Sequence, residues 1–383
     1  MHVTLFANIA DKRNPYITLL QRAVQPYCEG PVTIQPRFSP GWVLSHGKAG
    51  SIVHIHWLES HLTPCSWFGP DSRGYRYLIH RLENTRVSSL VRTTGLLAQL
   101  ALALMLARRV GMRVVYTVHN LDRHRNHGVH DASLKQLGNR LIFARADAVH
   151  VHSHHTAKAI AQLYGRAQNV FVVPHGNYVG WYPNVISRTE ARLRLNLPSD
   201  AFVYLFLGQI APYKGLEDLV EAFVALGDPS TWLVVAGRVS RAYDSAYVAA
   251  VAQRSRVLYR PGFVPDEEVQ VYLNAADVMV LPYRQITTSG SALLAFSFGQ
   301  PVVAPALGAL SEIVPASVGV SYIPTEAGAL TAALRRARHI SWSSQAILAH
   351  ARRFDWQIIG TQMADIYRTV LRSAEAAVSS QER

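Results

Sequence analysis

The chain has 383 residues, 49% of them hydrophobic and 16% charged, which fits two globular domains with large buried cores. Its two cysteines, Cys28 and Cys65, exclude a disulfide framework and a cysteine-rich metal centre and suit a reducing compartment. The N-terminus lacks the features of a signal peptide, and the longest apolar helical run, Leu96 to Ala107, is too short to span a bilayer. We therefore expect a cytoplasmic protein that is soluble or peripheral on the inner face of the cytoplasmic membrane.

Positive charge is concentrated in the first half of the chain, within a net charge of +13. Residues 1–190 hold 21 Lys and Arg against 9 Asp and Glu, a balance of +12, whereas the remainder holds 17 against 16. A one-sided basic field attracts nucleic acid, anionic lipid or an anionic substrate, although a basic protein without a dedicated partner gives the same balance. The sequence lacks the aromatic-plus-basic motifs of RNA-binding domains, so we expect no nucleic-acid partner.

Predicted strands alternate with helices along the chain. In the N-terminal half the strands are 3–7, 51–57, 113–118, 148–152 and 169–173, and a long arginine-rich helical stretch lies at 72–110. After a less regular linker at 179–200, the strands are 202–207, 232–237, 257–260, 277–282 and 300–305. This alternation predicts βαβ units and two doubly wound α/β domains, which bind ligands at the carboxyl ends of their strands. We place the domains at 1–185 and 186–355, followed by a terminal helix at 356–383.

The stretch from Asp277 to Pro305 predicts an anion site. Two buried strands flank a loop of small polar residues, Thr287 to Ser291, and an apolar helix that ends at Gly299. Free backbone N–H groups and the dipole at the start of such a helix favour negative charge, and Gly290 lets a ligand approach the backbone. An ordinary turn with a Ser or Thr helix cap is the alternative interpretation.

A second loop, Gly208 to Gly215, joins a strand to a helix and carries one cation, Lys214. It lacks the spacing of a P-loop, but it could cradle a diphosphate with Lys214 as the countercharge. Arg238, at the end of the next strand, adds another cation. Taken alone this loop could be an ordinary turn. Because three such features lie at the carboxyl ends of strands, we interpret them together as one anion-binding site.

Histidines mark the N-terminal half. His54 and His56, and likewise His150 and His152, alternate along strands, so that each pair lies on one face. No cysteine or carboxylate is spaced to complete a tetrahedral site with them, and we expect no metal.

Two residues at strand ends are candidates for catalysis. His119 ends a buried strand, where active-site groups gather in α/β sheets. Glu59 ends another strand and is the best-placed acid for a general base, with a surface ion pair as its alternative role.

Motifs in both halves resemble those of the two-domain GT-B glycosyltransferases, and the C-terminal half is similar to glycosyltransferase family 4. The matching segments in that half are 208–215, 234–237, 262–268, 275–282, 298–304, 311–314 and 354–356. In the N-terminal half, segments 14–16, 54–59, 117–121 and 175–178 resemble the mannosyltransferases of xanthan-type bacterial exopolysaccharide synthesis. The resemblance implies two Rossmann-like domains facing across a cleft. It also implies a donor-binding C-terminal domain, an acceptor-binding N-terminal domain and a terminal helix that returns to brace the latter.

The resemblance further implies individual roles. His119 would face the donor sugar, and Glu59 would be the base of an inverting reaction. The residues implied in donor binding are Gly208, Gln209, Lys214, Arg238, Phe263, Val264, Tyr283, Thr288, Ser289, Gly290 and Ser291. Those implied in acceptor binding are Asn14, Tyr16, Trp57, Asn120, His175 and Tyr178. No metal or other cofactor is implied, because helix dipoles and cations meet the charge of the leaving diphosphate.

Two departures from family 4 leave the stereochemistry open. Thr287 and Ala295 stand where that family carries two glutamates eight positions apart, and Gln209 stands where it carries an arginine. The xanthan-type enzymes share the loss of the glutamates and are inverting, so retention cannot be assumed. We expect a glycosyltransferase that uses a nucleotide sugar, with GDP-mannose favoured, and a glycan or lipid-linked acceptor of bacterial polysaccharide synthesis, at an anionic membrane surface. A UDP-sugar-dependent transferase and a non-catalytic sugar-nucleotide-binding relic are the alternatives.

Overall fold

The structure, a computed structural model, describes residues 1–7, 15–61, 86–121, 129–253 and 255–381, with the side chains at 59–60, 86–93, 129–135 and 374–381 outside the description. The chain forms two compact units, Met1–Val173 with Ile359–Arg383, and Pro174–Ile358. Residues 174–185, which the sequence assigns to the first domain, thus belong to the second unit.

The first unit contains a parallel sheet of six strands in the order β2-β1-β3-β4-β5-β6. The strands are β1 His2–Phe6, β2 Thr33–Gln35, β3 Ser51–His56, β4 Arg113–Thr117, β5 Ala148–Val151 and β6 Val170–Val172. The helices are α1 Tyr16–Val24, α2 Pro40–His46, α3 Leu58–His61, α4 Arg86–Arg109, α5 Val129–Arg145 and α6 His154–Tyr164. A 3-10 turn follows α1 at Gln25–Tyr27.

The central strands of this sheet are buried on both faces, as expected where helices cover both sides of a parallel sheet. β3 is buried along its whole length. It pairs with β4 in a register that sets Val53 beside Val114 and His56 beside Thr117. The same register brings the residues that follow the two strands together at one edge of the sheet.

The last helix, α15 (Trp356–Gln381), belongs to the first unit from Ile359 onwards. A side chain at Gly360 would overlap the carbonyl group of Ala23, so the helix lies directly against the end of α1. The hydroxyl groups of Tyr27 and Thr361 are 2.7 Å apart. These contacts tie the end of the chain to the unit formed by its beginning.

The second unit contains a parallel sheet of six strands in the order β12-β11-β10-β7-β8-β9. The strands are β7 Phe202–Leu207, β8 Thr231–Gly237, β9 Val257–Pro261, β10 Val278–Val280, β11 Val302–Pro305 and β12 Gly319–Tyr322. The helices are α7 Arg188–Arg194, α8 Leu216–Val224, α9 Ala246–Ala252, α10 Val269–Ala275, α11 Gly290–Ser297, α12 Leu310–Ile313, α13 Ala329–Arg338 and α14 Ser344–Arg352. Short 3-10 turns lie at Pro212–Lys214 and Asp266–Glu268.

The strand order of the second unit reverses direction between β7 and β10. Counted from its own first strand, the order is that of dinucleotide-binding folds, whose ligands bind at this switch point, beyond the carboxyl ends of the strands. Asp277 fixes the two strands to each other. Its Oδ2 accepts hydrogen bonds from the Val203 amide at 2.7 Å and from buried Arg192 at 2.8 Å. These bonds lie at the amino ends of the two strands, opposite the loops that leave β7 and β10.

Among the helices that the structure describes, none combines the length and the apolar character needed to cross a membrane.

Candidate functional site

Two glycines bring the ends of β7 and β8 together at the switch point of the second unit. A side chain at Gly237 would overlap the carbonyl group of Gly208, and both residues have positive φ angles, 148° and 133°. A β-carbon on Gly208 would lie 4.0 Å from Oγ of Ser291. The end of β7 thus approaches the first turn of α11 closely. Because Gly208 has no side chain, its backbone is accessible beside that turn.

The start of α11 has the features of an anion-binding helix terminus. Ser289 caps the helix, its Oγ accepting a hydrogen bond from the Ala292 amide at 3.3 Å. The hydroxyl oxygen of Thr288 is buried and has no hydrogen-bond partner among the described residues. The first N–H groups of a helix have no partner within it and carry partial positive charge. Hydroxyl, amides and dipole together can hold a phosphate group.

Lys214, in the loop after β7, is held by Tyr283, in the loop that runs from β10 to α11. Its Nζ donates a hydrogen bond to the Tyr283 hydroxyl at 2.8 Å and lies 4.2 Å from the centre of the same ring. Burial lowers the pKa of Lys214, but the hydroxyl groups of Tyr283 and Tyr213 outweigh it, so the pKa ends above its ordinary value. The lysine is a fixed cation at neutral pH. Tyr283, which the sequence assigns to donor binding, is itself buried.

A sharp turn sets the position of Lys214. Gly215 has a φ of 63°, and a side chain there would overlap the carbonyl group of Pro282 at the end of β10. The Arg284 amide donates to the Tyr213 carbonyl at 2.9 Å. The loops after β7 and β10 are thereby joined through their backbones.

The remaining residues assigned to the donor lie at the edges of this region. The loops after β7 and β8 run side by side, since the Ile210 amide donates to the Arg238 carbonyl at 2.8 Å. Gln209 and Arg238, near the start of these two loops, are exposed. After β9, Phe263 is 54% exposed and Val264 is half-buried. An exposed aromatic ring beside a phosphate site can stack on a nucleotide base.

His175 and Tyr178, which the sequence groups with acceptor residues, belong to the second unit and lie at the first turn of α11. A β-carbon on Gly290 would be 2.8 Å from the Tyr178 hydroxyl and 3.7 Å from Nε2 of His175. Burial lowers the pKa of His175 to about 4, so its ring is neutral. Its Nδ1 donates to the Gly176 carbonyl at 2.7 Å, which leaves Nε2 as the acceptor nitrogen. The structure thus groups these two side chains with Gly290 and Ser291.

In the first unit, Trp57, His119 and Tyr16 form an aromatic cluster at the carboxyl ends of β3 and β4. The rings of Trp57 and His119 are stacked, with centroids 4.0 Å apart and planes 12° apart. The ring centroids of Tyr16 and His119 are 5.0 Å apart, and the two rings meet edge to face. Trp57 has a φ of 47°, a left-handed conformation that is strained for a bulky residue and recurs at functional sites. Trp57 and His119 are both half-exposed.

A buried chain of hydrogen bonds lies beneath this cluster. The Tyr367 hydroxyl is 2.7 Å from Nδ1 of His54, whose Nε2 is 2.6 Å from Oγ1 of Thr117. Thr117 is 2.8 Å from Nδ1 of His150, whose Nε2 is 2.8 Å from the Val173 carbonyl. A carbonyl only accepts, so His150 donates from Nε2. Nδ1 of neutral His150 therefore accepts from the Thr117 hydroxyl, which in turn accepts from Nε2 of His54. Nδ1 of His54 is then the acceptor, and the Tyr367 hydroxyl donates to it.

His54 on β3 and His150 on β5 therefore have a structural explanation. Burial, and then the charge of His150, lower the pKa of His54 well below its ordinary value, which keeps it neutral within this chain. Among the described residues, no group of histidine, cysteine and carboxylate side chains is arranged to hold a metal ion.

His56 is a site residue that the sequence interpretation missed. Its Nδ1 lies 3.1 Å from Nε2 of His119. The alternation of His54 and His56 placed both on one face, but only the register with β4 reveals which of them reaches His119. Two other assigned residues cannot be compared with the structure, because Asn14 and the side chain of Glu59 lie outside the described residues. Asn120 is half-buried directly after His119.

Comparison with known families identifies the class of protein. The family described as glycosyl transferases group 1 matches residues 187–353, and the glycosyl transferase 4-like domain matches residues 76–176. The chain belongs to the group 1 glycosyltransferases, and it is an enzyme of that class. Its two parallel β-sheets lie in an α/β arrangement. The α/β fold class and the family resemblance predicted from the sequence are thus confirmed.

Individual relatives carry more specific names. The GDP-mannose:glycolipid 4-beta-D-mannosyltransferase of Xanthomonas campestris pv. campestris is 27% identical over 293 residues, which is 76% of this chain and 70% of that protein. The D-inositol 3-phosphate glycosyltransferase of Saccharomonospora viridis is 30% identical over 289 residues, 69% of this chain and 66% of that protein.

Solved structures of low sequence identity share the fold. Sucrose-phosphate synthase from Thermosynechococcus elongatus has a TM-score of 0.67 at 18% identity, covering 97% of this chain and 100% of that one. Anabaena Alr3699/HepE in complex with UDP has a TM-score of 0.65 at 16% identity, covering 96% and 100%.

Proposed function

We propose that this glycosyltransferase moves a mannosyl group from GDP-mannose to a glycolipid acceptor in bacterial polysaccharide synthesis. The observation that carries the proposal is the approach of Gly208 to Ser291 at the first turn of α11, together with the cation of Lys214, which Tyr283 holds in the loop after β7. That arrangement suits a diphosphate. The choice of GDP-mannose and of a glycolipid is supported by the name of the Xanthomonas relative, which matches 76% of this chain.

The donor is proposed to bind the second unit. Its diphosphate would accept hydrogen bonds from the first amides of α11 and from the buried Thr288 hydroxyl, and Lys214 would supply countercharge. The base would lie against Phe263 and Val264. A UDP-sugar is the second candidate, because Anabaena Alr3699/HepE, of similar fold, was solved with UDP.

The acceptor is proposed to bind the first unit at Trp57 and His119. The stacked rings offer an apolar face, which suits the C–H face of a sugar. In the transfer, the acceptor hydroxyl oxygen forms a bond to the anomeric carbon as the bond from that carbon to the diphosphate oxygen breaks. The acceptor proton passes to a base, for which we propose Glu59, and the nucleoside diphosphate leaves. Attack from the opposite face would invert the anomeric carbon.

We propose that no metal is required, because the charge of the leaving diphosphate would be met by Lys214 and the α11 dipole. Full activity after exhaustive treatment with EDTA is the expected result. A loss that Mg²⁺ or Mn²⁺ restores would contradict this part of the proposal.

A membrane-facing surface is proposed on α4 and α5, on the cytoplasmic side of an anionic bilayer. Leu102 and Met105 on α4 are 43% and 39% exposed, and Leu137 on α5 is 47% exposed. Arg108 and Arg109 are exposed at the end of α4. Exposed apolar side chains beside arginines are the composition of an interfacial helix, and the first half of the chain carries a balance of +12. Such a surface would bring the enzyme to a lipid-linked acceptor.

A transfer assay tests the proposal as a whole. Purified enzyme is incubated with GDP-mannose, UDP-glucose or UDP-glucuronate and a bacterial lipid-linked oligosaccharide extract, and the product is identified by mass. Mannose addition from GDP-mannose alone is expected. Transfer from a UDP-sugar alone would replace the donor. Donor binding without transfer to any acceptor would favour a non-catalytic binding protein.

A further inference from the structure

His56 differs from the other buried histidines in its hydrogen bonds. Its Nδ1 lies 3.1 Å from Nε2 of His119, whereas its own Nε2 is buried without a hydrogen-bond partner among the described residues. Burial is the main cause that lowers the pKa of His56 well below its ordinary value, so the ring is neutral. A neutral imidazole carries one proton, and that proton is on either Nδ1 or Nε2.

Only one of these tautomers gives the ring N–H group of His56 a hydrogen-bond acceptor. If the proton is on Nδ1, it is donated to Nε2 of His119. If it is on Nε2, a buried N–H group is left without an acceptor, which is rare in folded proteins. The first arrangement also determines the partner: His119 accepts at Nε2 and, when neutral, carries its proton on Nδ1.

We propose that His56 is a positioning residue that holds His119 as the tautomer protonated on Nδ1, so that His119 donates a hydrogen bond to the substrate and is not the base. The inference rests on the proposed function, in which His119 contacts the acceptor sugar. In this state neither nitrogen of His119 offers a lone pair to the acceptor hydroxyl. The proton of that hydroxyl must pass to another group.

The surroundings of His56 favour the neutral pair. The titratable side chains that face it are His54 on β3, His119 after β4, His150 on β5, His152 directly after β5, and Tyr16 on α1. The four imidazoles each oppose a proton on His56. Burial and the neighbouring imidazoles thus both oppose an extra proton on the His56–His119 pair, which keeps His56 a donor and His119 an acceptor at Nε2.

Nitrogen NMR of the wild-type enzyme labelled with ¹⁵N-histidine tests the tautomer directly. Protonated and lone-pair nitrogens of an imidazole have well-separated shifts, and the signals of His119 are assigned from their loss in His119→Asn. A protonated Nδ1 with an unprotonated Nε2 is expected. An unprotonated Nδ1 would overturn the proposal.

A matched pair of variants tests the role. Asn places an amide N–H near the position of Nδ1 and cannot accept a proton, so His119→Asn should keep at least about tenfold more kcat than His119→Ala. If His119 were the base, the two variants would be equally impaired.

The positioning role of His56 is tested through His119. His56→Phe removes the donor and should lower kcat by about tenfold, with little change in KM for the donor, and His56→Asn should restore most of it. In a His119→Ala background the same change should have no effect on kcat. Equal losses in both backgrounds, or no rescue by Asn, would mean a structural role only.

Failure of the proposed function would be recognised separately. Wild-type enzyme that neither binds nor transfers any nucleotide sugar refutes that function. Wild-type enzyme that transfers mannose while His119→Asn is as impaired as His119→Ala refutes only this inference.

Discussion

The hydroxyl group of Tyr367 donates a hydrogen bond to Nδ1 of His54 at 2.7 Å, although 313 residues separate them in the chain. Both side chains are fully buried. The bond is the first of four that run through Thr117 and His150 to the Val173 carbonyl. The last helix is thereby joined to the middle of the sheet that the first residues build.

Tyr367→Phe should lower the free energy of unfolding by about 1–2 kcal/mol, because it leaves a buried imidazole nitrogen without its donor. Urea unfolding followed by circular dichroism measures the change. Tyr27→Phe is the control, since its bond to Thr361 is exposed, and it should cost less than about 0.5 kcal/mol. Equal effects of the two variants would show that the buried chain of hydrogen bonds does not stabilise the fold.

Gly237→Ala should be severely destabilising. The added β-carbon would overlap the carbonyl group of Gly208, and a φ of 148° is unfavourable for any other residue. We expect the free energy of unfolding to fall by at least about 3 kcal/mol, because backbone strain and steric overlap both act at this position. Gly227→Ala is the control, because its φ is also positive, at 62°, but the site is open. It should cost about 1 kcal/mol. A well-folded Gly237→Ala protein would contradict the close approach of the two strand ends.

Stability should fall as pH is lowered from about 6.5 to about 4. Burial is the main cause that lowers the pKa of His61 to about 4, from an ordinary value of 6.5. The unfolded chain therefore binds a proton in this window that the folded protein does not, and the folded state loses stability on acidification. For His61 alone the loss approaches about 3 kcal/mol.

Urea unfolding at several pH values checks this prediction. His61→Gln should reduce the fall between pH 6.5 and 4 by about 3 kcal/mol, because Gln does not titrate, while buried His54, His56 and His175 still contribute. A fall of the same size in His61→Gln would mean that other groups account for the acid sensitivity.

Charge reversal on α4 should weaken binding to anionic vesicles. Arg108→Glu with Arg109→Glu replaces two exposed cations beside Leu102 and Met105, and each Lys or Arg near such a surface contributes about 1 kcal/mol. Co-sedimentation with vesicles that contain phosphatidylglycerol measures the loss, which should be at least about tenfold in affinity. Arg335→Glu with Arg336→Glu, an exposed pair on α13, is the control and should change little. Equal losses for both pairs would show a non-specific effect of charge.

Most of the central strands could be predicted from the sequence because parallel strands covered on both faces are continuous apolar runs. The run at 51–57 corresponds to β3, and the run at 202–207 to β7. The edge strands β2 and β12 were missed. Thr33–Gln35 is short and partly exposed, and Gly319–Tyr322 is a run of four residues without a strong pattern. Both are too short for periodicity to detect, whereas the runs at 169–173 and 257–260 did predict the other two edge strands, β6 and β9.

The closeness of the loops proposed to bind the donor could be predicted for a different reason. Gly208 and the Thr288–Ser291 loop follow buried strands directly, and the ends of parallel strands lie at one edge of a sheet. The position of Tyr178 could not be predicted, because its contact with Gly290 depends on where the chain enters the second unit. The pairing of His56 with His119 likewise depends on the register of β3 and β4, which the sequence does not show.

Calorimetric titration of GDP-mannose into the wild-type enzyme and Lys214→Ala tests the central claim, that the donor diphosphate binds at α11 beside Lys214. The account predicts binding to the wild type and an affinity at least about tenfold weaker in the variant, since a charge-assisted hydrogen bond is lost. Lys158→Ala, at an exposed site in the first unit, should bind as the wild type does. An unchanged affinity in Lys214→Ala would contradict the assignment of this site to the donor.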